Sequence, residues 1–258
     1  NPGLKSSAMS VFCRPIAKAP NPGALEAKVT LDTPMAEFNR ESISAMRKSY
    51  GEKGLSESDA SQNPVELFLT WLADAADNPI IVEANAMVLS TVHGSGPISR
   101  TVLLKDITDD GLTFFTNYQS RKASDIHSNP AVSLLFPWYA MERQVIIQGF
   151  ATKVSREESE AYFQTRPWGS QIGAWASHQS APLDNREELE NRFKGAAEKW
   201  PEGSKVPTPP HWGGYLVTPF TIEFWQGRSS RLHDRIRFER SHNSGEATSN
   251  WEAKRYYP

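Results

Sequence analysis

A single cysteine, Cys13, occurs in 258 residues, so no intramolecular disulfide can form and a reducing compartment fits best. No Cys/His cluster has metal-ligand spacing, and no metal centre is expected. No apolar run approaches the roughly 18 residues of a membrane helix, which argues for a soluble protein without a membrane partner. Charge of one sign is also lacking: 28 Lys and Arg stand against 30 Asp and Glu. A chain with a formal charge of −2 does not live on nucleic acid by bulk electrostatics, and any anion site must come from local clustering. Neither a Rossmann fingerprint nor a P-loop is present, so a glycine-rich cradle for nucleotide phosphates is excluded. There is no internal repeat.

What is present suits a mostly β domain. Hydrophobic residues make up 38% of the chain, enough for a sizeable core. Residues 1–45 are rich in Pro, Ala, Ser and Gly and carry no acid before Glu26. Such a leader reads either as a disordered tail or as a targeting segment, giving a cytoplasmic protein with organellar import as the alternative. Asn63-Pro64 starts a helix, with Asn as cap and Pro at the first helical position, and Leu67, Phe68, Trp71, Leu72 and Ala75 follow at helical spacing. From Ala86 the period becomes two. Residues 86–93 and 98–105 read as a hairpin about Gly94 to Pro97, and 112–117 as a third strand. Ser120-Arg121-Lys122 opens a helix that stops at Asn129-Pro130, and two cations beside free backbone N–H groups can form a phosphate cradle. Strands are expected at 131–138 and 144–154, the first with an edge or bulge to accommodate Pro137. Ser155 and Glu158 form a capping box for a helix ending before Pro167. Tyr162 and Arg166 would share one face of its last turn, with Ser170 in the loop beyond. Asp184 and Glu187 are expected to cap a polar helix reaching Trp200, and Pro201 to Pro210 is a connector.

The most informative run is Glu223-Phe224-Trp225-Gln226-Gly227-Arg228-Ser229-Ser230-Arg231-Leu232-His233-Asp234-Arg235. In an extended strand, alternation places Arg231, His233 and Arg235 on one face. By pattern alone that face either meets an anionic or electron-rich ligand or is an exposed basic edge strand.

This run resembles the C-terminal signature of the pyridoxine/pyridoxamine 5'-phosphate oxidases. Further family-like runs follow in order: Arg47-Lys48-Ser49-Tyr50, Glu83-Ala84-Asn85-Ala86-Met87, Arg100 to Lys105, Phe114-Phe115-Thr116-Asn117, Ser120-Arg121-Lys122, Arg143-Gln144-Val145, Ser170-Gln171-Ile172-Gly173-Ala174 and Ser177-His178-Gln179-Ser180. The resemblance covers roughly residues 46–258 and leaves 1–45 as a separate extension. It implies a mostly β, FMN-binding split β-barrel with peripheral α-helices, acting as a homodimer. The reaction implied is oxidation of pyridoxine or pyridoxamine 5'-phosphate by dioxygen to pyridoxal 5'-phosphate, with release of hydrogen peroxide and, from the amine, ammonia. By the same resemblance FMN is held by Arg100, Thr101, Val102, Leu103, Phe115, Thr116, Arg121, Lys122, Gln144, Gln179, Ser180, Trp225 and Arg235. The substrate falls to Arg47, Tyr50, Lys105, Tyr162, Arg166, Ser170, Arg231, Leu232 and His233, with Arg231 and His233 acting on the reacting part. Pro137 and Trp168-Gly169 depart from the family pattern. Two rivals remain: a split-barrel flavin reductase with a nicotinamide or deazaflavin donor, and a non-enzymatic pyridoxal phosphate carrier. Each needs only one of the two residue sets that this sequence holds together.

Overall fold

The computed structural model describes residues 49–51, 53–56, 58–59, 63–94, 96–240 and 251–258. Arg47 and the 1–45 extension lie outside these residues. Nine strands are described: β1 (Ala86–His93), β2 (Gly96–Leu103), β3 (Asp106–Thr108), β4 (Gly111–Asn117), β5 (Ala131–Trp138), β6 (Arg143–Lys153), β7 (Trp212–Gln226), β8 (Asp234–Arg240) and β9 (Trp251–Tyr256). The helices are α1 (Pro64–Asp77), α2 (Arg121–Ser128), α3 (Arg156–Thr165), α4 (Trp168–Ala176) and α5 (Arg186–Lys199).

All strand pairs are antiparallel, and the main path runs β2-β1-β5-β6-β7-β4-β3. Its two ends are consecutive in sequence. Only Leu104 and Lys105 separate β2 from β3, and two residues span no more than about 7 Å. The sheet must therefore curl until its edges meet, which makes it a barrel. The seam is stitched by Leu104 N–H to Asn85 O (2.9 Å) and Lys105 N–H to Thr113 O (2.9 Å).

The split in the barrel comes from β7, whose 15 residues outrun any single partner on one edge. Residues 212–217 pair with β4 and residues 221–226 with β8, while the other edge follows β6 from Tyr215 to Gln226. Pro219 sits between the two halves, and the register against β6 shifts between Gln148 and Gly149. A Cβ on Gly149 would lie 2.5 Å from Thr218 O and 2.8 Å from Val217 Cγ1, so only glycine permits this close approach. Pro137 is accommodated as its chemistry requires. The β1–β5 pairing ends at Leu135, which leaves β5 an edge strand on that side.

Alternation fills the barrel. Met87, Leu89, Leu134, Phe136, Val145, Ile147, Phe224 and Phe238 point into one core. Helix α1 closes one side: the Asn63 side chain accepts from Val65 N–H (2.9 Å), and Phe68 and Trp71 meet Phe136 and Phe224 edge-on at 4.9 and 5.2 Å. A smaller core of Phe163, Ile172, Val206 and Trp212 joins α3, α4 and α5 to the sheet. The Ser155–Glu158 capping box forms in both directions. The cap of α5, however, is Asn185, which accepts from Glu188 N–H at 2.9 Å, and not Asp184. No helix among the described residues is long and apolar enough to cross a membrane.

Candidate active site

Beside the seam a cavity of about 450 Å³ opens between the barrel and the helical cap, within the ~300–1,000 Å³ typical of small-molecule sites. Thr101, Val102 and Leu103 form one wall with Lys105. Strand β2 ends at Leu103 and not at the expected Lys105, yet Lys105 stays on the wall that period-two spacing shares with Thr101 and Leu103. Phe115, Thr116, Lys122 and Gln179 contribute from the sheet, α2 and the loop after α4, and Tyr162, Arg166 and Ser170 from the cap.

Two cationic poles face this space. At the first, Lys122 folds back from the first turn of α2, and its Nζ donates to Gln179 Oε1 (2.8 Å), Thr116 Oγ1 (3.1 Å) and Ser120 Oγ (3.3 Å). These acceptors are neutral. Burial, with Arg100 adding repulsion, pushes the Lys122 ammonium down to about 8. Thr116 Oγ1 also donates to Gln179 Oε1 at 3.1 Å. With its oxygen thus engaged, the Gln179 amide has its N–H₂ free to donate. The loop carrying Gln179 is fastened by Arg192 of α5, which donates to Ala176 O (2.7 Å) and His178 Nε2 (2.6 Å).

At the second pole, Arg166 lies with its guanidinium carbon 4.8 Å above the Trp212 ring. Its Nη1 is buried without a hydrogen-bond partner, and burial lowers its pKa. Phe115 stacks on Tyr162 at 4.0 Å and on Trp212 at 5.3 Å, a rigid aromatic base for the charge. Arg166 is the C-cap of α3 with extended backbone, not part of its last turn, yet it still lines the cavity together with Tyr162. Ser170 belongs to helix α4 and not to a loop. Trp168 donates from Nε1 to Trp200 O (2.9 Å), and this bond orders the segment.

Arg100 points elsewhere. Its Nη1 donates to Thr91 Oγ1 (2.8 Å) and Leu89 O (3.2 Å), and its Nη2 is 3.5 Å from Asp125 Oδ2. Arg121 is exposed on α2, and Ser180 lines a smaller neighbouring pocket with φ +73°.

A second group of predicted residues gathers at the β7–β8 end. Trp225, His233 and Tyr50 form an aromatic corner, with rings 4.8 Å (Trp225–His233), 5.4 Å (Tyr50–His233) and 6.0 Å (Tyr50–Trp225) apart. His233 Nδ1 accepts from Arg228 N–H at 3.0 Å, so the neutral ring carries its proton on Nε2. The alternation expected for Arg231, His233 and Arg235 is not realised. Residues 229–231 form a 3-10 turn with φ +57° at Ser230 and +61° at Arg231, and β8 begins only at Asp234. Leu232 is 70% exposed. Arg235 is clamped by buried Glu223, with contacts of 3.0–3.1 Å, which Arg237 also grips at 2.8 Å. Gln144 sits opposite Trp225 in the β6–β7 ladder. None of this group lines the cavity of the same chain.

Sequence reasoning missed Asn117, Gly173, Ala174, Ser177 and Trp212 as cavity residues. A usable signal was Trp212-Gly213-Gly214, where the rings of Tyr118 and Phe115 approach so closely that a Cβ would collide with them.

Residues 73–199 match the family described as pyridoxamine 5'-phosphate oxidase, and residues 212–258 match the pyridoxine 5'-phosphate oxidase C-terminal dimerisation region. The chain is 47% identical over 218 residues to the pyridoxine/pyridoxamine 5'-phosphate oxidase of Streptomyces avermitilis, covering 83% of this chain and 95% of that protein. It is 50% identical over 197 residues to that of Cupriavidus necator, covering 76% and 92%. Among solved structures, PhzG from Burkholderia lata 383 in complex with tetrahydrophenazine-1-carboxylic acid superposes with a TM-score of 0.73 at 29% identity, covering 82% of this chain and all of that one. With a split barrel, two cationic poles on one cavity and this degree of identity along most of its length, the chain belongs to the pyridoxine/pyridoxamine 5'-phosphate oxidase family.

Proposed function

We propose that this protein is an FMN-dependent oxidase that converts pyridoxine or pyridoxamine 5'-phosphate to pyridoxal 5'-phosphate. The observation that carries the reading is the pair of cations on one cavity, buried Lys122 and half-buried Arg166 with its buried Nη1. Lys122 is bonded only to neutral oxygens and Arg166 has an unpartnered Nη1. Buried charges without counter-ions are costly, and both poles fit groups that bring negative charge. The flavin cofactor and the substrate of this reaction are both phosphate monoesters.

Lys122, Thr116 and the Gln179 amide suit FMN, while Arg166, Lys105, Tyr162 and Ser170 suit the substrate phosphate through charge-assisted bonds of about 1.5–3 kcal/mol each. The chemistry the flavin supplies is acceptance of a hydride from the C4' carbon of the substrate, with dioxygen as final electron acceptor and hydrogen peroxide as product. The chain's own groups bind, orient and exclude water. His233, its Nε2–H fixed by the Arg228 backbone, donates to an oxygen of the substrate ring, and Arg231 holds the same ligand in near-attack geometry. These two, with Trp225, Gln144 and Arg235, stand apart from the cavity of their own protomer. They complete the cavity of a second protomer in the homodimer, a reading supported by the match of residues 212–258 to a dimerisation region.

Purified protein should be yellow, bleach anaerobically with pyridoxamine 5'-phosphate, and recolour in air with one peroxide formed per turnover. A colourless protein that takes up no FMN, or a yellow one that pyridoxamine 5'-phosphate does not bleach, would refute the reading.

A further inference from the structure

Trp212 opens β7, and its backbone is fixed on both sides: the N–H donates to Pro209 O (3.1 Å) and the carbonyl accepts from Arg156 Nη1 (3.1 Å). The residue lines the cavity and is 6% exposed. Phe163 meets its ring edge-on at 5.0 Å. The Arg166 guanidinium carbon lies 4.8 Å from the Trp212 centroid and 5.6 Å from that of Phe163. Two aromatic rings thus hold the cation in a corner. Among the described residues no carboxylate pairs with Arg166, and its buried Nη1 has no hydrogen-bond partner. The aromatic surface continues to Tyr162: the rings of Phe115, Tyr162 and Trp212 lie within 19° of parallel. Gly214 permits this, since a Cβ there would lie 2.8 Å from Phe115 Cε1.

We propose that Trp212 is a positioning residue for the substrate phosphate, acting through Arg166: its ring, backed by Phe163, holds the guanidinium at the cavity before ligand arrives. This rests on the substrate reading above. A carboxylate in the place of the ring would also hold Arg166, but it would cancel the charge and occupy the N–H groups that a phosphate needs. An aromatic face attracts the planar cation through its quadrupole and leaves charge and edge donors to the ligand. A long, flexible side chain is ordered in advance, and preorganisation of this kind lowers the cost of binding.

The test is titration of the FMN-loaded full chain with pyridoxal 5'-phosphate and with pyridoxal, which lacks the phosphate. Trp212→Leu should weaken the phosphorylated ligand by about 5- to 30-fold, the loss of one desolvated cation–π contact, while pyridoxal changes by less than about twofold. Trp212→Phe restores an aromatic face of weaker attraction and should leave a deficit of about two- to fivefold. Added to Arg166→Ala, Trp212→Leu should weaken pyridoxal 5'-phosphate no further, because the cation it acts through is gone. Unchanged affinity in Trp212→Leu, or equal losses in the Leu and Phe variants, would overturn the proposal. So would equal weakening of both ligands with a lowered melting temperature, which marks a purely structural role. Full weakening in the Arg166→Ala background would overturn it as well, since Trp212 would then act on the ligand directly. If Trp212→Leu does not fold, Trp212→Phe decides: phosphate-selective weakening supports the proposal and unchanged affinity overturns it. A wild-type protein that binds pyridoxal as tightly as pyridoxal 5'-phosphate would instead overturn the substrate reading beneath it.

Discussion

Replacing Arg166 with Ala separates binding from stability unusually cleanly. In the free protein the buried, unpartnered Nη1 carries an unrepaid desolvation cost of about 1–3 kcal/mol. Against this, the side chain gains about 0.5–2 kcal/mol from resting on Trp212. The two nearly cancel, so the ligand-free variant should melt within a few degrees of wild type. Substrate binding behaves differently, because a phosphate would receive one or two charge-assisted bonds from Arg166. Loss of one such bond, about 1.5–3 kcal/mol, raises KM by about 10- to 100-fold. Since the contact is made in ground and transition states alike, kcat should fall far less. The assay is steady-state peroxide release with pyridoxamine 5'-phosphate, alongside FMN content and melting temperature. A variant that loses FMN while keeping a wild-type KM would refute the assignment, as would one that loses kcat alone.

Lys122 predicts a pH dependence. With a folded-state value of about 8, below the ordinary value, its burial cost is present below that pH and eases as pH rises towards 10.5. FMN affinity should accordingly be flat between about pH 7, above the phosphate's own second pKa of about 6, and about pH 8, and weaken above that as the free ammonium is lost; equal affinity at about pH 7 and pH 10, read by quenching of flavin fluorescence, would contradict this. Stopped-flow reduction should slow, or substrate binding weaken, in Arg231→Ala and His233→Ala with flavin retained, whereas Arg235→Ala should weaken flavin binding; wild-type kinetics and affinity in the first two would remove them from the site. Gly149→Ala should cost about 1–3 kcal/mol in denaturant unfolding through overpacking against Thr218 O, and an unchanged midpoint would show that the bulge can relax.

Much of the local structure was legible because it is written in nearest-neighbour chemistry. The Asn63 cap, the Ser155–Glu158 box and the period-two runs of β1 and β5 each depend on residues a few positions apart, and each forms as read. The motifs around Lys105, Lys122, Tyr162 and Arg166 likewise named cavity residues before any geometry was known. What the sequence alone determined is thus most of the element types, the family and most of the chemical inventory.

Tertiary structure decided the rest, because it depends on partners far apart in the chain. Alternation predicted one face for Arg231, His233 and Arg235, but it cannot foresee that left-handed backbone at Ser230 and Arg231 breaks the strand before Asp234. Helix α4 replaced an expected loop because Trp168 bonds to Trp200 and Ile172 enters a core built with Phe163, Val206 and Trp212. Nor does any local pattern reveal that β2 and β3 sit at opposite ends of the strand path yet adjoin at a two-residue seam. That closure is what sets the wall bearing Thr101, Leu103 and Lys105 on the same cavity as Arg166. Burial, which gives Lys122 and Arg166 their shifted proton affinities, exists only once distant segments have excluded water from the same place.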